Sequence, residues 1–362
     1  MSPDSAVSGY VQVSLGALAR NFAQLKEIAR GTEIGAVVKA NAYGLGAPRV
    51  TQTLIESGCR TFFVATLEEG IELRTSLESS SGIAIFVFEG ARTGAEQTFA
   101  EHRLAPVLNT RAQIEAWLDV GAACAVHVDT GMSRLGVSID ECGTLLADRA
   151  VRERLGLRYL MTHLACADDP NDPHNERQLE QFDTLREALG RVPASIANSA
   201  GVFLGDRFHG DLVRAGIALY GGNPFSGREN PMAAVATVYA RVLQVRELDH
   251  DASVGYGATF AAPAGSHIAT VGVGYADGYP RLLGNLAEAA CDGQRVPVVG
   301  RVSMDLTCID ISALPRDTVA VGDYVELLGE QIPVDELAAH CNTISYEILT
   351  GLGSRLPRIY AD

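Results

Sequence analysis

Ala36-Val37-Val38-Lys39-Ala40-Asn41-Ala42-Tyr43-Gly44-Leu45-Gly46 is an apolar, β-branched run that ends in a lysine and then breaks into small residues and glycine. It reads as a buried strand followed by a tight turn. Burial lowers an amine pKa toward the range in which it acts as a nucleophile or base, so Lys39 at the strand's last position suits a Schiff base, although lysines at strand ends also commonly snorkel to solvent. The same unit recurs along the chain. Apolar runs lie near 34–39, 61–66, 83–88, 104–108, 124–129, 157–163, 194–198 and 212–219, with segments of helical period between them, such as 47–57, 67–75, 110–120, 138–149 and 175–189. Eight strands alternating with helices predict an α/β fold with an N-terminal (β/α)8 TIM-like barrel, a doubly wound open sheet being the alternative.

Barrels of this type place their chemistry at the C-terminal ends of the strands. Lys39 ends the first predicted strand, Asp129-Thr130-Gly131-Met132-Ser133-Arg134 follows the fifth, Thr162-His163 ends the sixth, Asn198-Ser199 ends the seventh, and Arg214-Ala215-Gly216-Ile217 lies along the eighth. Phosphate sites favour the loops after strands seven and eight, where Ser199 and the N–H groups around Gly216 and Ile217 are available. Turn formers crowd 221–233, after which short runs at 234–247, 268–273, 296–299, 306–311 and 320–328 read as a C-terminal β-rich domain, with one helix signal at 333–340. The expected division is a barrel over 10–228 and a β-domain over 229–362. Residues 10–14 alternate as a short strand, and Ser14 is placed to cap a helix bearing Leu15, Leu18, Phe22 and Leu25.

Composition narrows the function. Lys plus Arg is 29 and Asp plus Glu is 44, so the net charge of 29 − 44 = −15 argues against nucleic acid and against an anionic membrane surface. A phosphate-bearing ligand would need local positive charge instead. The seven cysteines are an odd number with no C-x-x-C pair, which fits reduced thiols and a cytoplasmic protein without a metal site. The N-terminus has no signal-peptide pattern, and no apolar run approaches the ~20 residues of a membrane span.

Eight segments carry a specific resemblance: VVKANAYG (37–44), VDTGMSRLG (128–136), MTHLACAD (161–168), NSAG (198–201), VRAGIALYG (213–221), VGYGATF (254–260), VGYADGYPR (273–281) and GRVSMDLTCIDI (300–311). Over nearly its whole length the chain is similar to the alanine racemases. The resemblance implies interconversion of L- and D-alanine, with pyridoxal 5′-phosphate held covalently by Lys39, and a supply of D-alanine for peptidoglycan. It implies that Tyr43 touches the cofactor phosphate, that Arg214 faces the pyridine nitrogen, and that His163, Asn198, Ser199, Gly216, Ile217 and Ser354 complete the cofactor site. Inverting a stereocentre requires a proton to leave one face and return to the other, so two bases are needed. Lys39 serves one face, and the resemblance gives the other to Tyr256, with His163 and the arginines stabilising its phenolate. Arg134 and the N–H of Met304 would hold the substrate carboxylate, and Asp168, Tyr275, Arg281 and Arg301 would line the access channel. A homodimer with shared sites is implied, as is packing of N-terminal residues 1–12 against the second domain.

The sequence departs from the family's pattern at two positions. Where many relatives carry a carbamylated lysine beside the substrate-binding arginine, this chain has His127, so a bound anion such as chloride, or a nearby Asp or Glu, is expected between His127 and Arg134. Where some relatives place a phosphate-contacting tyrosine, it has Ser354. A racemase of broader range, acting on serine as well as alanine, and a non-catalytic protein holding the same cofactor are the alternative functions.

Overall fold

The computed structural model describes residues 7–77 and 82–362. β1 (Gly9–Ser14) leads into the helix Leu15–Ile28, whose first turn is closed by the Ser14 hydroxyl accepting from the Ala17 N–H at 3.1 Å. Leu15, Leu18, Phe22 and Leu25 form the buried face of that helix, as their spacing predicts.

The barrel strands are β2 (Glu33–Val37), β3 (Thr61–Val64), β4 (Ala84–Val87), β5 (Ala105–Leu108), β6 (Cys124–His127), β7 (Leu157–Met161), β8 (Ala194–Ser195) and β9 (Leu212–Ala215). They pair in the order β8-β7-β6-β5-β4-β3-β2-β9, each parallel to its neighbour. Sequence order is kept around the ring and β9 returns to β2, so the strand order never reverses as it does in a doubly wound sheet. Most of these residues are buried, which is why the strands read as unbroken apolar runs instead of alternating ones. The seam between β8 and β9 is the weak point of the ring. β8 has two residues, and it meets β9 through a bridge between Ser195 and Gly210, a hydrogen bond from Arg214 N–H to Ala197 O at 2.9 Å, and the Ser195 hydroxyl donating to Leu212 O at 2.7 Å.

A second, largely antiparallel sheet is built on β10 (Ala236–Glu247), which pairs with β1, with 267–271 and with 324–328. Register shifts at Val238/Tyr239 and Val242/Gln244 bend this long strand between its partners. β1 also lies parallel to the last strand, 358–361, so both ends of the described chain belong to this sheet. Of the N-terminal residues expected to join it, 1–6 lie outside the described residues. The helix signal at 333–340 corresponds to Val334–His340, and a further helix at Ser345–Thr350 follows it without a foreseen signal. No helix among the described residues is long and apolar enough to cross a membrane.

Candidate active site

The rim of the barrel around Lys39 has an unusual backbone. Ala40, Asn41, Ala42 and Tyr43 take φ values of 51°, 53°, 53° and 54°, one turn of left-handed helix made without glycine. Each L-residue in that conformation costs roughly 1–2 kcal/mol, so neighbours must hold the turn. Glu69 accepts the Ala40 N–H at 2.7 Å, Asn41 accepts the Ala47 N–H at 2.8 Å, and Arg358 donates to Gly44 O at 2.9 Å. The Tyr43 ring stacks on Tyr220 with centroids 4.5 Å apart and meets Tyr346 at 6.0 Å. Lys39 projects from this turn with its amine 5.8 Å from the centre of the Phe88 ring. Burial, and then the Arg134 guanidinium, lower its pKa, with Glu69 opposing them.

Arg214 is 2% exposed, and its guanidinium donates to Ser195 Oγ (2.6 Å), Thr162 O (2.7 Å), Ile196 O (3.2 Å) and His163 Nδ1 (3.3 Å). No carboxylate is among these partners, and burial holds the group down to about 9. The Nε atom alone is buried without a partner. Because a guanidinium only donates, His163 Nδ1 must accept, which places the imidazole proton on Nε2. Burial, Arg214 and Arg134 keep His163 well below the usual imidazole range, so it is neutral.

His127 is fixed by a similar argument. Asn109 uses its Nδ2 to donate to Phe88 O and Val107 O, both at 2.8 Å, so its Oδ1 accepts from His127 Nδ1 at 2.8 Å and leaves the His127 Nε2 lone pair free. Burial, then Arg214, bring His127 to about 4. Asp129 Oδ1 accepts the N–H groups of Gly131, Met132 and Ser133 and so shapes the loop that carries Arg134. The acid expected between His127 and Arg134 is not there: among the described residues no carboxylate pairs with Arg134. The physical reason is that Arg134 is exposed, so water meets the charge that such an acid would have balanced, while His127 is tied to Asn109 and neutral. Two arginines, Lys39 and two neutral histidines thus gather on one rim of a protein of net charge −15, a local field suited to an anionic ligand.

The loops after β8 and β9 form a phosphate-sized cradle. Ser199 Oγ accepts the Gly216 N–H at 2.8 Å and the Ala218 N–H at 3.3 Å, which occupies both lone pairs and leaves its own O–H to donate. Tyr43 Oη lies 2.4 Å from where a Cβ on Gly216 would stand, so only glycine admits the phenol there. Ile217 is buried in the short helical turn that follows. Asn198 spends its side chain on the loop itself, accepting the Gly201 N–H at 2.9 Å and donating to Leu164 O at 3.4 Å. An adjoining cavity of about 680 Å³ is lined by Met132, His163, Asp168, Asn198, Phe225 and Tyr346. Asp168 accepts from the Ser226 hydroxyl at 2.6 Å at its edge.

The remaining candidates form a separate face. Tyr256 is 70% exposed, Met304 53% and Tyr275 41%, and Leu282, Leu286 and Leu306 are exposed with them. These residues belong to one surface: Tyr275 and Ala276 N–H groups bond to Ser303 O and Met304 O, Asn285 donates to Thr259 Oγ1 and accepts the Gly300 N–H, and a Cβ on Gly257 would meet the Arg301 guanidinium. Arg281 and Arg301 are also exposed. Ser354 lies exposed on the turn before the last strand, and the ring that reaches Tyr43 from this end of the chain is Tyr346, which sequence reasoning did not single out. Asn109 and Glu69 were also missed. Thr66-Leu67-Glu68-Glu69 carries a capping-box pattern that could have drawn notice to Glu69, whereas nothing in the sequence distinguishes Asn109 or Tyr346.

Comparison with known proteins bears on both sheets. The alanine racemase N-terminal domain family matches residues 13–224, and the alanine racemase C-terminal domain family matches residues 235–360. The chain belongs to the alanine racemase family. An alanine racemase from Rhodospirillum rubrum is 46% identical, the match covering 99% of this chain and 98% of that protein. A catabolic alanine racemase from Mesorhizobium japonicum is 44% identical over 99% of this chain and 94% of its own length. Among solved structures, the alanine racemase from Bartonella henselae with covalently bound pyridoxal phosphate superposes with a TM-score of 0.91 at 38% identity, covering 98% of this chain and all (100%) of that one. The biosynthetic alanine racemase from Pseudomonas aeruginosa gives 0.89 at 37% identity, with coverage of 98% and 100%.

Proposed function

We propose that this alanine racemase interconverts L- and D-alanine with two proton carriers of different origin, Lys39 within the barrel rim and Tyr256 supplied by a partner subunit. The observation that carries the reading is Lys39 itself, an amine at the end of a barrel strand whose pKa is lowered by burial and by Arg134. Pyridoxal 5′-phosphate, when bound, withdraws electrons from the substrate Cα and so acidifies its hydrogen. The residues present fit that group. The buried Arg214 Nε–H without a partner suits a pyridine nitrogen, and the Ser199 hydroxyl and Tyr43 phenol beside Gly216 suit a phosphate. Arg214 is a donor and not a carboxylate, so it would leave the pyridine nitrogen unprotonated, which weakens the electron withdrawal and disfavours protonation away from Cα. His163, neutral and held by Arg214, would orient the ring.

Lys39 would move the proton on one face of Cα and Tyr256 on the other, Lys39 acting on the D-alanine hydrogen and Tyr256 on that of L-alanine. Arg134 and the partner subunit's Met304 N–H would hold the substrate carboxylate, and Asp168, Tyr275, Arg281 and Arg301 would line its access. A homodimer is supported by the contiguous exposed apolar face that carries Tyr256, Tyr275 and Met304. The division of the chain near 228/229, a cytoplasmic location and a D-alanine supply for peptidoglycan complete the proposal.

The test uses Lys39→Ala and Tyr256→Phe. Lys39→Ala should lose the near-ultraviolet to violet cofactor band together with turnover. Mixing the two inactive variants under subunit exchange should restore activity, because one site of each hybrid dimer would collect both defects and the other neither. A band that survives in Lys39→Ala refutes the anchor, and absence of recovery after demonstrated exchange means that each site is built within one chain.

A further inference from the structure

Glu69 occupies the first turn of the helix Leu67–Ser76, three residues after the N-cap Thr66, whose Oγ1 accepts the Glu69 N–H at 3.3 Å. In a capping box the glutamate at this position turns back to the N–H of the cap residue itself. This carboxylate goes elsewhere. Oε2 accepts the N–H of Ala65, one residue before the cap, at 2.8 Å, and Oε1 crosses to the neighbouring strand's end and accepts the N–H of Ala40 at 2.7 Å. Ala40 is the first left-handed residue and directly follows Lys39. One carboxylate therefore ties the end of β3 to the peptide at which the chain turns away from Lys39.

The clamp needs a carboxylate. Two N–H groups approach its two oxygens, and an acceptor-only group is required to satisfy both. An amide of the same shape would set its NH2 against one of them, and an aspartate is one methylene too short to span the pair. The turn also needs the clamp, because consecutive left-handed residues persist only where their surroundings over-determine them.

We propose that Glu69 is a positioning residue for Lys39: by clamping the N–H groups of Ala40 and Ala65, its carboxylate fixes the direction in which Lys39 leaves the barrel rim. The proposal rests on the reading of Lys39 as the cofactor-bearing amine. Arg134, His163 and Glu69 are the charged or titratable groups that act with Lys39 here, and Glu69 is the one that favours its protonated form. Glu69 thus sets both the backbone and the field at one atom, and two variants separate these effects.

The experiment compares holoenzymes of Glu69→Gln and Glu69→Asp with the unaltered protein. It follows amide hydrogen exchange in peptides covering 38–46, the pH midpoint of the cofactor absorbance band, and kcat and KM for both enantiomers of alanine. For Glu69→Gln, exchange at 38–46 should be at least about tenfold faster while the rest of the barrel is unchanged. Its kcat should fall about tenfold with KM altered less than about twofold, the mark of lost alignment and not of lost binding. Its band midpoint should move to lower pH, because a negative charge near a protonated nitrogen has gone. Glu69→Asp should return the midpoint toward its original value without restoring kcat. Unchanged exchange at 38–46 in Glu69→Gln would overturn the proposal, whatever the midpoint does. So would a uniform rise of exchange throughout the barrel, which is the response of a purely structural residue. If the band survives in Lys39→Ala, the reading of Lys39 fails and this proposal falls with it; exchange that stays the same in Glu69→Gln, with the band lost in Lys39→Ala, removes Glu69 alone.

Discussion

Ser199→Ala tests the cradle most directly, because its hydroxyl is committed in three directions. The side chain is 3% exposed, and its Oγ is the acceptor for the N–H groups of Gly216 and Ala218. Removing it leaves two buried donors without that acceptor, each costing about 1–3 kcal/mol, so the cofactor-free protein should lose about 2–6 kcal/mol of stability. Bound phosphate would also lose the hydroxyl's own donated bond. A hydrogen bond to a charged group contributes about 1.5–3 kcal/mol, which corresponds to a cofactor Kd weakened about 10- to 100-fold. By linkage the stability loss must be larger with saturating cofactor than without it, by about the same 1.5–3 kcal/mol, because the weakened binding withdraws that much stabilisation from the folded state. Urea unfolding of both forms, with a fluorescence titration of pyridoxal 5′-phosphate, measures each quantity. An unchanged Kd accompanied by equal destabilisation of the two forms would show that Ser199 only braces the loops and that the phosphate binds elsewhere.

Other expectations follow from the same geometry. Gly216→Ala would drive a Cβ to within 2.4 Å of Tyr43 Oη, so it should weaken cofactor binding severely, and adding Tyr43→Phe should recover part of the loss; no recovery in the double variant would disprove the clash. His127 is neutral in the fold and depressed from 6.5 to about 4, so the unfolded chain binds its proton first and stability should fall as the pH drops through that interval. The ceiling of this effect is about 3 kcal/mol, and His127→Gln should flatten the pH-stability profile of unfolding between pH 6.5 and 4. Bicarbonate should leave activity unchanged, since His127 cannot be carbamylated, whereas the KM for alanine should respond to chloride if an anion shares the space beside Arg134. Activation by bicarbonate with indifference to chloride would contradict both statements.

The barrel was legible because parallel strands buried on both faces read as unbroken apolar runs, and each of the eight predicted barrel runs overlaps a strand. The candidate groups at their ends stood out for the same reason: Lys39, His163 and Arg214 are polar groups in apolar surroundings. The short helices Glu96–Glu101, Arg149–Leu155 and Ser345–Thr350 were not, since fewer than two turns hold too few apolar positions to establish a period. The left-handed turn after Lys39 could not be seen either. Ala40, Ala42 and Tyr43 have no intrinsic preference for that conformation, and the groups that impose it come from 29 residues away at Glu69 and 314 residues away at Arg358. The tautomers of His127 and His163 likewise depend on partners, Asn109 and Arg214, that only the folded chain assembles.

The pairing of β1 with both β10 and the final strand has a consequence for how the chain is made. During synthesis β1 emerges first, yet its partners lie at 236–240 and 358–361, so the barrel must be complete before the segment that precedes it finds any neighbour. The last strand also brings Arg358 to Gly44, beside the lysine turn. A chain lacking 358–361 would therefore keep its ring and the pairing of β1 with β10, but would leave one edge of β1 open and remove the Arg358 brace from the turn after Lys39. Such a product would be prone to pairing with its own kind through that edge.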